Sequence, residues 1–161
     1  MLRGILVDYS PGCPFAAGGF SLAENALLVA GGVGAAPLRF LAETLREKGL
    51  AHRWLSGAKT AEELCYPEEA DAVATDDGTA GSAGSVVALA EKELARGKYA
   101  ILQACGPKGM LRAVKVLAEK AGLPAELSVE RIMRCGVGLC GSCALPDGRC
   151  ACREGPVLRF G

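Results

Sequence analysis

The sequence has 161 residues, enough for one α/β domain with a hydrophobic core and a small additional module. Its 18 basic and 18 acidic residues balance, which argues against a nucleic-acid partner. The longest apolar stretch, 26–38, is interrupted by glycines and is shorter than the ~20 residues of a membrane span, and the amino-terminal sequence has no signal-peptide core. We therefore expect a cytoplasmic protein without membrane contact, whose eight cysteines are thiols or metal ligands rather than disulfides.

Short apolar segments alternate with amphipathic ones along most of the chain. Helices between strands are typical of βαβ units, so the pattern predicts a five-stranded parallel sheet with helices on both faces. Ligands of such sheets bind at the carboxyl ends of the strands. Strands are predicted at 26–30, 51–55, 71–75, 99–104 and 125–129, and helices at about 36–49, 85–94 and 107–120, with a helical turn at 61–65.

A glycine-rich loop follows the first predicted strand. Gly31, Gly32 and Gly34 allow the backbone to turn sharply and approach a pyrophosphate, while the next helix offers unpaired N–H groups. Pro37 stands where the common dinucleotide fingerprint has a third glycine, so a tight turn without a ligand is the alternative. The loop therefore predicts a variant nucleotide site.

The other strand ends should border the same crevice. They lie at 56–59, 75–78 and 105–107. No acidic residue closes the second strand to bind a ribose 2′-hydroxyl, and Lys59 suits either a 2′-phosphate or solvent. The choice between NAD and NADP stays open.

The segment CGVGLCGSCALPDGRCAC holds five of the eight cysteines. Cys135, Cys140 and Cys143 follow the spacing C-x4-C-x2-C, with Cys150 and Cys152 a few residues later. This spacing with a fourth cysteine is how plant-type ferredoxins hold a [2Fe–2S] cluster, and the intervening glycines permit a tight wrap. Spacing alone leaves the fourth ligand undecided between the last two cysteines.

Zinc and inert thiols are the alternatives for this segment. Structural zinc sites usually have two separated CxxC-type pairs, whereas here the two gaps are fused, which favours a cluster. The remaining cysteines, Cys13, Cys65 and Cys105, are expected to be small buried side chains. Cys105 differs because it stands at a strand end and could line a nicotinamide pocket.

With these motifs in this order, the chain resembles the ferredoxin–NADP reductase superfamily, and more closely the iron–sulfur electron-transfer subunits of dihydroorotate dehydrogenase. The resemblance rests on GGVGAAP at 31–37, CGPKGML at 105–111, ERIMRCGVGLCGSC at 130–143 and CREGPV at 152–157. In that family the last ligand cysteine directly precedes such an acidic-Gly-Pro-Val segment, which implies Cys152 rather than Cys150.

The resemblance implies an electron relay for pyrimidine biosynthesis. A partner subunit oxidises dihydroorotate at FMN, and electrons pass through a [2Fe–2S] cluster to FAD and then to NAD(P). The implied cluster ligands are Cys135, Cys140, Cys143 and Cys152. The implied nucleotide-binding residues are Gly31, Gly32, Gly34, Pro37, Asp76, Asp77, Cys105, Gly106 and Pro107.

Family members begin with an FAD-binding β-barrel, which this sequence lacks. We interpret residues 1–20 as a remnant of that barrel or a linker, 21–129 as the NAD(P)-binding domain and 130–161 as the cluster module. We therefore expect the chain to be a fragment, a split protein or a shortened gene product. The expected cofactors are the cluster and NAD(P), with FAD left open and a separate FAD-binding chain among the partners considered.

Two alternative functions are consistent with some of these motifs. Gamma-type subunits of cytosolic hydrogenases and anaerobic sulfite reductase have similar nucleotide and cysteine motifs. A zinc-containing nucleotide-binding module without redox activity is the second alternative. The last segment is also rich in arginine, so docking through Arg134 and Arg149 onto an acidic partner is a further hypothesis.

Overall fold

The computed structural model describes residues 19–161, which are built around one seven-stranded sheet. Its strands are β1 (Ala26–Gly31), β2 (His52–Ala58), β3 (Ala72–Thr75), β4 (Ser82–Ala83), β5 (Ile101–Cys105), β6 (Ala125–Ser128) and β7 (Val157–Phe160). The order across the sheet is β4-β3-β2-β1-β5-β6-β7. Neighbouring strands are parallel except β6 and β7, which are antiparallel.

The predicted α/β fold with a mostly parallel sheet is confirmed, but the predicted count of five strands is wrong. All five predicted strands are present, and β4 and β7 are additional. β4 has two residues and β7 has four, and β7 follows a segment dominated by glycine and cysteine. Neither is long enough to show a strand pattern in the sequence.

Helices cover both faces of the sheet. The helices are α1 (Ala35–Glu47), α2 (Val86–Arg96), α3 (Lys108–Ala121) and the short α4 (Ala151–Glu154). Leu38, Leu41 and Leu45 of α1 share one helical face and are fully buried on one side of the sheet. The apolar faces of α2 and α3 pack on the other side.

The first strand lies at the centre and fixes where a ligand can bind. Every residue of β1 is buried, as expected for a parallel strand covered on both faces. It pairs with β2 on one side and β5 on the other, so the chain runs outward in both directions from this point. Such a switch in strand order opens a crevice at the carboxyl ends.

The cysteine-rich segment is attached to the sheet at both of its ends. The Val129 N–H donates to the Pro156 carbonyl at 2.6 Å, directly beyond the pairing of β6 with β7. Within the segment Ala151 and Leu158 are buried. The predicted domain boundary at 130 remains a prediction, and β7 beyond it completes the sheet.

Two further sequence predictions concern the ends of the molecule and the membrane. The predicted barrel remnant or linker at 1–20, apart from its last two residues, lies outside the described residues, as does Cys13. Phe20 is buried beside α1. Within 19–161 no helix is long and apolar enough to cross a membrane.

Candidate functional site

A cleft of about 680 Å³ opens at the carboxyl edge of the sheet. Its floor is formed by the ends of β1 and β2, and the amino-terminal turns of α2 and α3 form its walls. The register places Gly31 level with Gly57, so both strands end together and leave this space. Unpaired N–H groups and the positive dipole ends of two helices make such a cleft suited to an anionic ligand.

The cleft brings together four of the nine predicted nucleotide-binding residues. Gly31, Gly32, Asp76 and Pro107 line it. The other five lie outside its lining: Gly34, Pro37, Asp77, Cys105 and Gly106. The role of all nine in binding stays a prediction.

Gly34 and Cys105 lie behind the cleft, in contact with each other. A Cβ on Gly34 would overlap the backbone carbonyl of Cys105. Burial raises the pKa of the Cys105 thiol, which is 7% exposed. Gly106 packs in the same way against the backbone of Gly31. These residues therefore hold the glycine loop against the end of β5.

Substituting Gly34 tests this packing. We expect Gly34→Ala to lower the free energy of unfolding by about 2 kcal/mol, because its methyl group meets backbone that cannot move aside. Urea unfolding measures the difference. Gly109→Ala is the matched control, since its Cβ would meet nothing within 4 Å inside α3, and it should be neutral or slightly stabilising. Equal stability of the two variants would contradict the packing argument.

Asp77 stabilises its own turn. Its carboxylate accepts hydrogen bonds from the Thr79 hydroxyl at 2.6 Å and the Thr79 N–H at 3.0 Å, and these bonds lower its pKa. The Thr79 hydroxyl in turn accepts from the Ala61 N–H, which ties this loop to the one after β2. The neighbouring Asp76 lines the cleft instead.

Several residues of the cleft were not predicted as binding residues. The strand-end rule placed Lys59 at this edge, and Gly57 lies there too. Met110 on α3 lies against Gly31. Ser85 caps α2 by accepting the Ala88 N–H, a signal that was readable in the sequence as a helix start. The acidic side chains of Glu63 and Glu91 had no such signal.

The cysteine segment is shaped by glycines and by a short hairpin. Gly136, Gly138 and Gly141 have φ values of 71°, 79° and 69°, which side-chain-bearing residues rarely adopt. Ala144 forms an antiparallel bridge with Cys150, and the Leu145 N–H donates to the Arg149 carbonyl. The chain therefore folds back on itself and returns α4 to the first cysteines.

Cys135 and Cys140 form one pair of thiols. The Cys140 N–H donates to the Cys135 sulfur at 3.5 Å. Backbone N–H groups of Cys140 and Val137 lower the pKa of the Cys135 thiol to about 6. N–H groups directed at a sulfur favour the thiolate, which is the form that binds metals.

Cys143 and Cys152 form a second pair. Hydrogen bonds from the Cys152 N–H and thiol lower the pKa of Cys143, and the contact with Cys143 raises the pKa of Cys152. Cys150 also contacts Cys143, and burial followed by the Cys143 charge raises its pKa. Cys143 is 2% exposed, so this pair forms the inner side of the segment.

The thiols fit an iron–sulfur cluster in donor type and in their order along the segment. As they stand in residues 19–161, no three Cys, His, Asp or Glu side chains close into a metal-binding group. The four predicted ligands nevertheless lie as two pairs in one short segment, and N–H groups already favour the thiolate at Cys135. A Cys₄ donor set of this kind suits [2Fe–2S].

Comparison with known families agrees with this chemistry. Residues 130–161 match the family described as the iron–sulfur cluster binding domain of dihydroorotate dehydrogenase B. The prediction of an iron–sulfur segment is thereby confirmed. The fold is thus similar to that of an oxidoreductase, and this segment to an iron–sulfur domain.

The particular resemblance is to the electron-transfer subunits of dihydroorotate dehydrogenase B, as predicted. The subunit of that name from Bacillus caldolyticus is 42% identical over 150 residues, covering 86% of this chain and 56% of the relative. A protein of Archaeoglobus fulgidus named "Probable dihydroorotate dehydrogenase B (NAD(+)), electron transfer subunit" is 41% identical over 144 residues, covering 86% of this chain and 61% of the relative. The chain thus spans little more than half the length of these relatives.

A solved structure supports the fold. The NADH-dependent reduced ferredoxin–NADP oxidoreductase, studied for flavin-based electron bifurcation, superposes with a TM-score of 0.71 at 35% sequence identity. The match covers 85% of this chain and 54% of that chain. The predicted ferredoxin reductase-type architecture is therefore confirmed.

Proposed function

We propose that the chain is the electron-transfer component of a dihydroorotate dehydrogenase B complex in pyrimidine biosynthesis. In this proposal Cys135, Cys140, Cys143 and Cys152 hold a [2Fe–2S] cluster, and the cleft at the end of β1 binds the nicotinamide nucleotide. The substrate chemistry takes place on an FMN-containing partner subunit. The match of the cysteine-rich segment to the cluster-binding domain of that enzyme carries the proposal.

The fold supports a path between the two sites. The register pairs Cys105 with Ser128, so β5 and β6 end at the same edge of the sheet as the cleft. The cysteine segment leaves the sheet at Val129 and returns at Pro156, also at this edge. Both candidate sites therefore belong to one edge of one sheet.

In this proposal the two sites would have different chemical roles. The cluster transfers single electrons and the nicotinamide transfers hydride, so a flavin is the third group that the relay needs. The helix ends around the cleft would neutralise the pyrophosphate, and the loop at Gly31 would let it approach the backbone. Burial of Cys143 would exclude water from the inner side of the cluster.

The outer side of the cysteine segment supports docking of a partner. Four large apolar side chains are exposed around Cys135 and Cys140, and Arg134 is exposed among them. An apolar patch with a basic rim fits the surface of a protein partner. The four side chains are Ile132, Met133, Val137 and Leu139, exposed by 75%, 45%, 53% and 86%.

Of the two arginines in the docking hypothesis, the structure supports Arg134 and gives Arg149 a different role. Arg149 donates to Asp147 at 2.7 Å and stacks over the Phe160 ring at 4.8 Å, so it stabilises the hairpin. The Arg153 side chain packs over Gly138. Arg134 has no ion pair among the described residues, which leaves it for the partner.

Leu139 tests the docking surface. We expect Leu139→Glu to weaken binding of the FMN-containing dihydroorotate dehydrogenase subunit at least about tenfold, because a charge replaces the most exposed apolar side chain of the patch. Calorimetric titration of the two purified subunits measures the affinity. Val116→Glu, at a 48% exposed position on α3, is the matched control and should leave the affinity unchanged. Equal effects of the two variants would remove the patch from the interface.

Cofactor analysis tests the function as a whole. Protein purified anaerobically should be brown, contain iron and acid-labile sulfide in equal amounts, and bind ADP-ribose. A colourless protein with zinc and no iron would contradict the proposal. Cytoplasmic location is part of the proposal and would be checked by fractionation of the native host.

A further inference from the structure

Cys150 is a thiol that the four-ligand assignment leaves unused. It directly precedes α4, and Cys152 lies in the first turn of that helix. The backbone of both lies beside Cys143, because Cys150 is bridged to Ala144 and the Ala151 N–H donates to the Cys143 carbonyl. The segment therefore offers two donors, two residues apart, beside one buried ligand.

The backbone holds both donors in place. Cys150 is bridged to Ala144, the residue after Cys143, and the Ala151 N–H donates to the Cys143 carbonyl at 3.3 Å. The Cys150 carbonyl accepts hydrogen bonds from the N–H groups of Arg153 and Glu154, which fix the start of α4. Replacing one side chain leaves these backbone bonds intact, so the other thiol stays beside Cys143.

We infer that Cys150 is a reserve ligand for the cluster. When Cys152 is lost as a donor, Cys150 takes its position beside Cys143 while Cys135 and Cys140 remain in place. The inference rests on the proposed [2Fe–2S] site and adds a fifth donor to it. A thiolate supplied by the same turn retains the soft-donor set that iron requires.

Alanine substitutions distinguish the roles of the two thiols, because alanine, unlike serine, has no oxygen that could bind iron. We expect Cys152→Ala to retain at least about half of the wild-type iron and sulfide, with altered g values in the electron paramagnetic resonance spectrum of the reduced protein, since second donors tune the metal's electronic environment. The double variant Cys150→Ala/Cys152→Ala should retain less than about a tenth. Iron, sulfide and spectra are measured on anaerobically purified full-length chains.

A second double variant serves as the matched control. Cys65→Ala/Cys152→Ala also removes two thiols, but Cys65 belongs to the connection between β2 and β3 and packs against the core, and this variant should match Cys152→Ala. If the wild-type chain contains iron and Cys152→Ala contains none, the inference is wrong while the proposed function stands. The same holds if Cys150→Ala/Cys152→Ala keeps its iron. A wild-type chain without iron would overturn the proposed function and the inference together.

Discussion

Replacing Cys135 with alanine is expected to abolish cluster binding. The Cys135 sulfur accepts a hydrogen bond from the Cys140 N–H at 3.5 Å, and backbone N–H groups lower the pKa of this thiol to about 6. The thiolate form, which binds iron, is therefore favoured at Cys135. The spare Cys150 is not placed to substitute, because it is bridged to Ala144 beside the second pair. Iron per chain should fall at least about tenfold, with loss of visible absorption. Metal analysis and spectroscopy of anaerobic protein give the answer.

The sheet and its helices should remain folded after this substitution. Cys135 lies outside both hydrophobic core clusters of the sheet, so Cys135→Ala should keep the far-ultraviolet circular dichroism of the sheet and helices. Cys65→Ala is the control for loss of a thiol elsewhere and should keep its iron. A Cys135→Ala chain that retains most of its iron would contradict the ligand assignment.

Parts of this molecule were predictable because local pattern and tertiary structure agree. The segment at 26–30 is apolar throughout, and β1 is indeed buried on both faces. The C-x4-C-x2-C spacing indicated that Cys135, Cys140 and Cys143 belong to one short segment with a common role. By contrast, β7 depends on pairing with β6 across the cysteine segment, and its four residues carry no pattern of their own.

The cleft shows a second limit of sequence reasoning. The glycine loop predicted a nucleotide site at the end of β1, and Gly31 and Gly32 do line the cleft there. Gly34 packs on Cys105 behind it, and the helices that form the walls of the cleft are α2 and α3. The alternative roles of adjacent aspartates were equally hidden. Asp77 binds Thr79 whereas Asp76 faces the cleft, and only the folded loop distinguishes them. Side-chain partners in loops depend on tertiary contacts that no spacing rule contains.

Glu126 has a structural role that the sequence did not reveal. It is 5% exposed on β6, where its Oε2 accepts hydrogen bonds from the Ser21 N–H and from Gln103 Nε2, each at 2.7 Å. Gln103 Nε2 also donates to the Ser21 carbonyl at 2.7 Å. The two side chains thus satisfy both backbone groups of Ser21 and hold the segment before β1 on the sheet. Arg159 of β7 lies 3.9 Å from the other oxygen of Glu126.

Glu126→Ala is therefore expected to lower the free energy of unfolding by about 3 kcal/mol, because it leaves the Ser21 N–H without its acceptor and the buried Gln103 amide with only the Ser21 carbonyl. Urea unfolding followed by circular dichroism measures the loss. Glu119→Ala is the matched control, since its ion pair with Lys115 is exposed and should contribute less than about 0.5 kcal/mol. If both variants lost the same small amount of unfolding free energy, packing of neighbouring residues, rather than the carboxylate, would hold Ser21 in place. A loss confined to Glu126→Ala would instead show that the buried carboxylate holds the segment before β1 on the sheet.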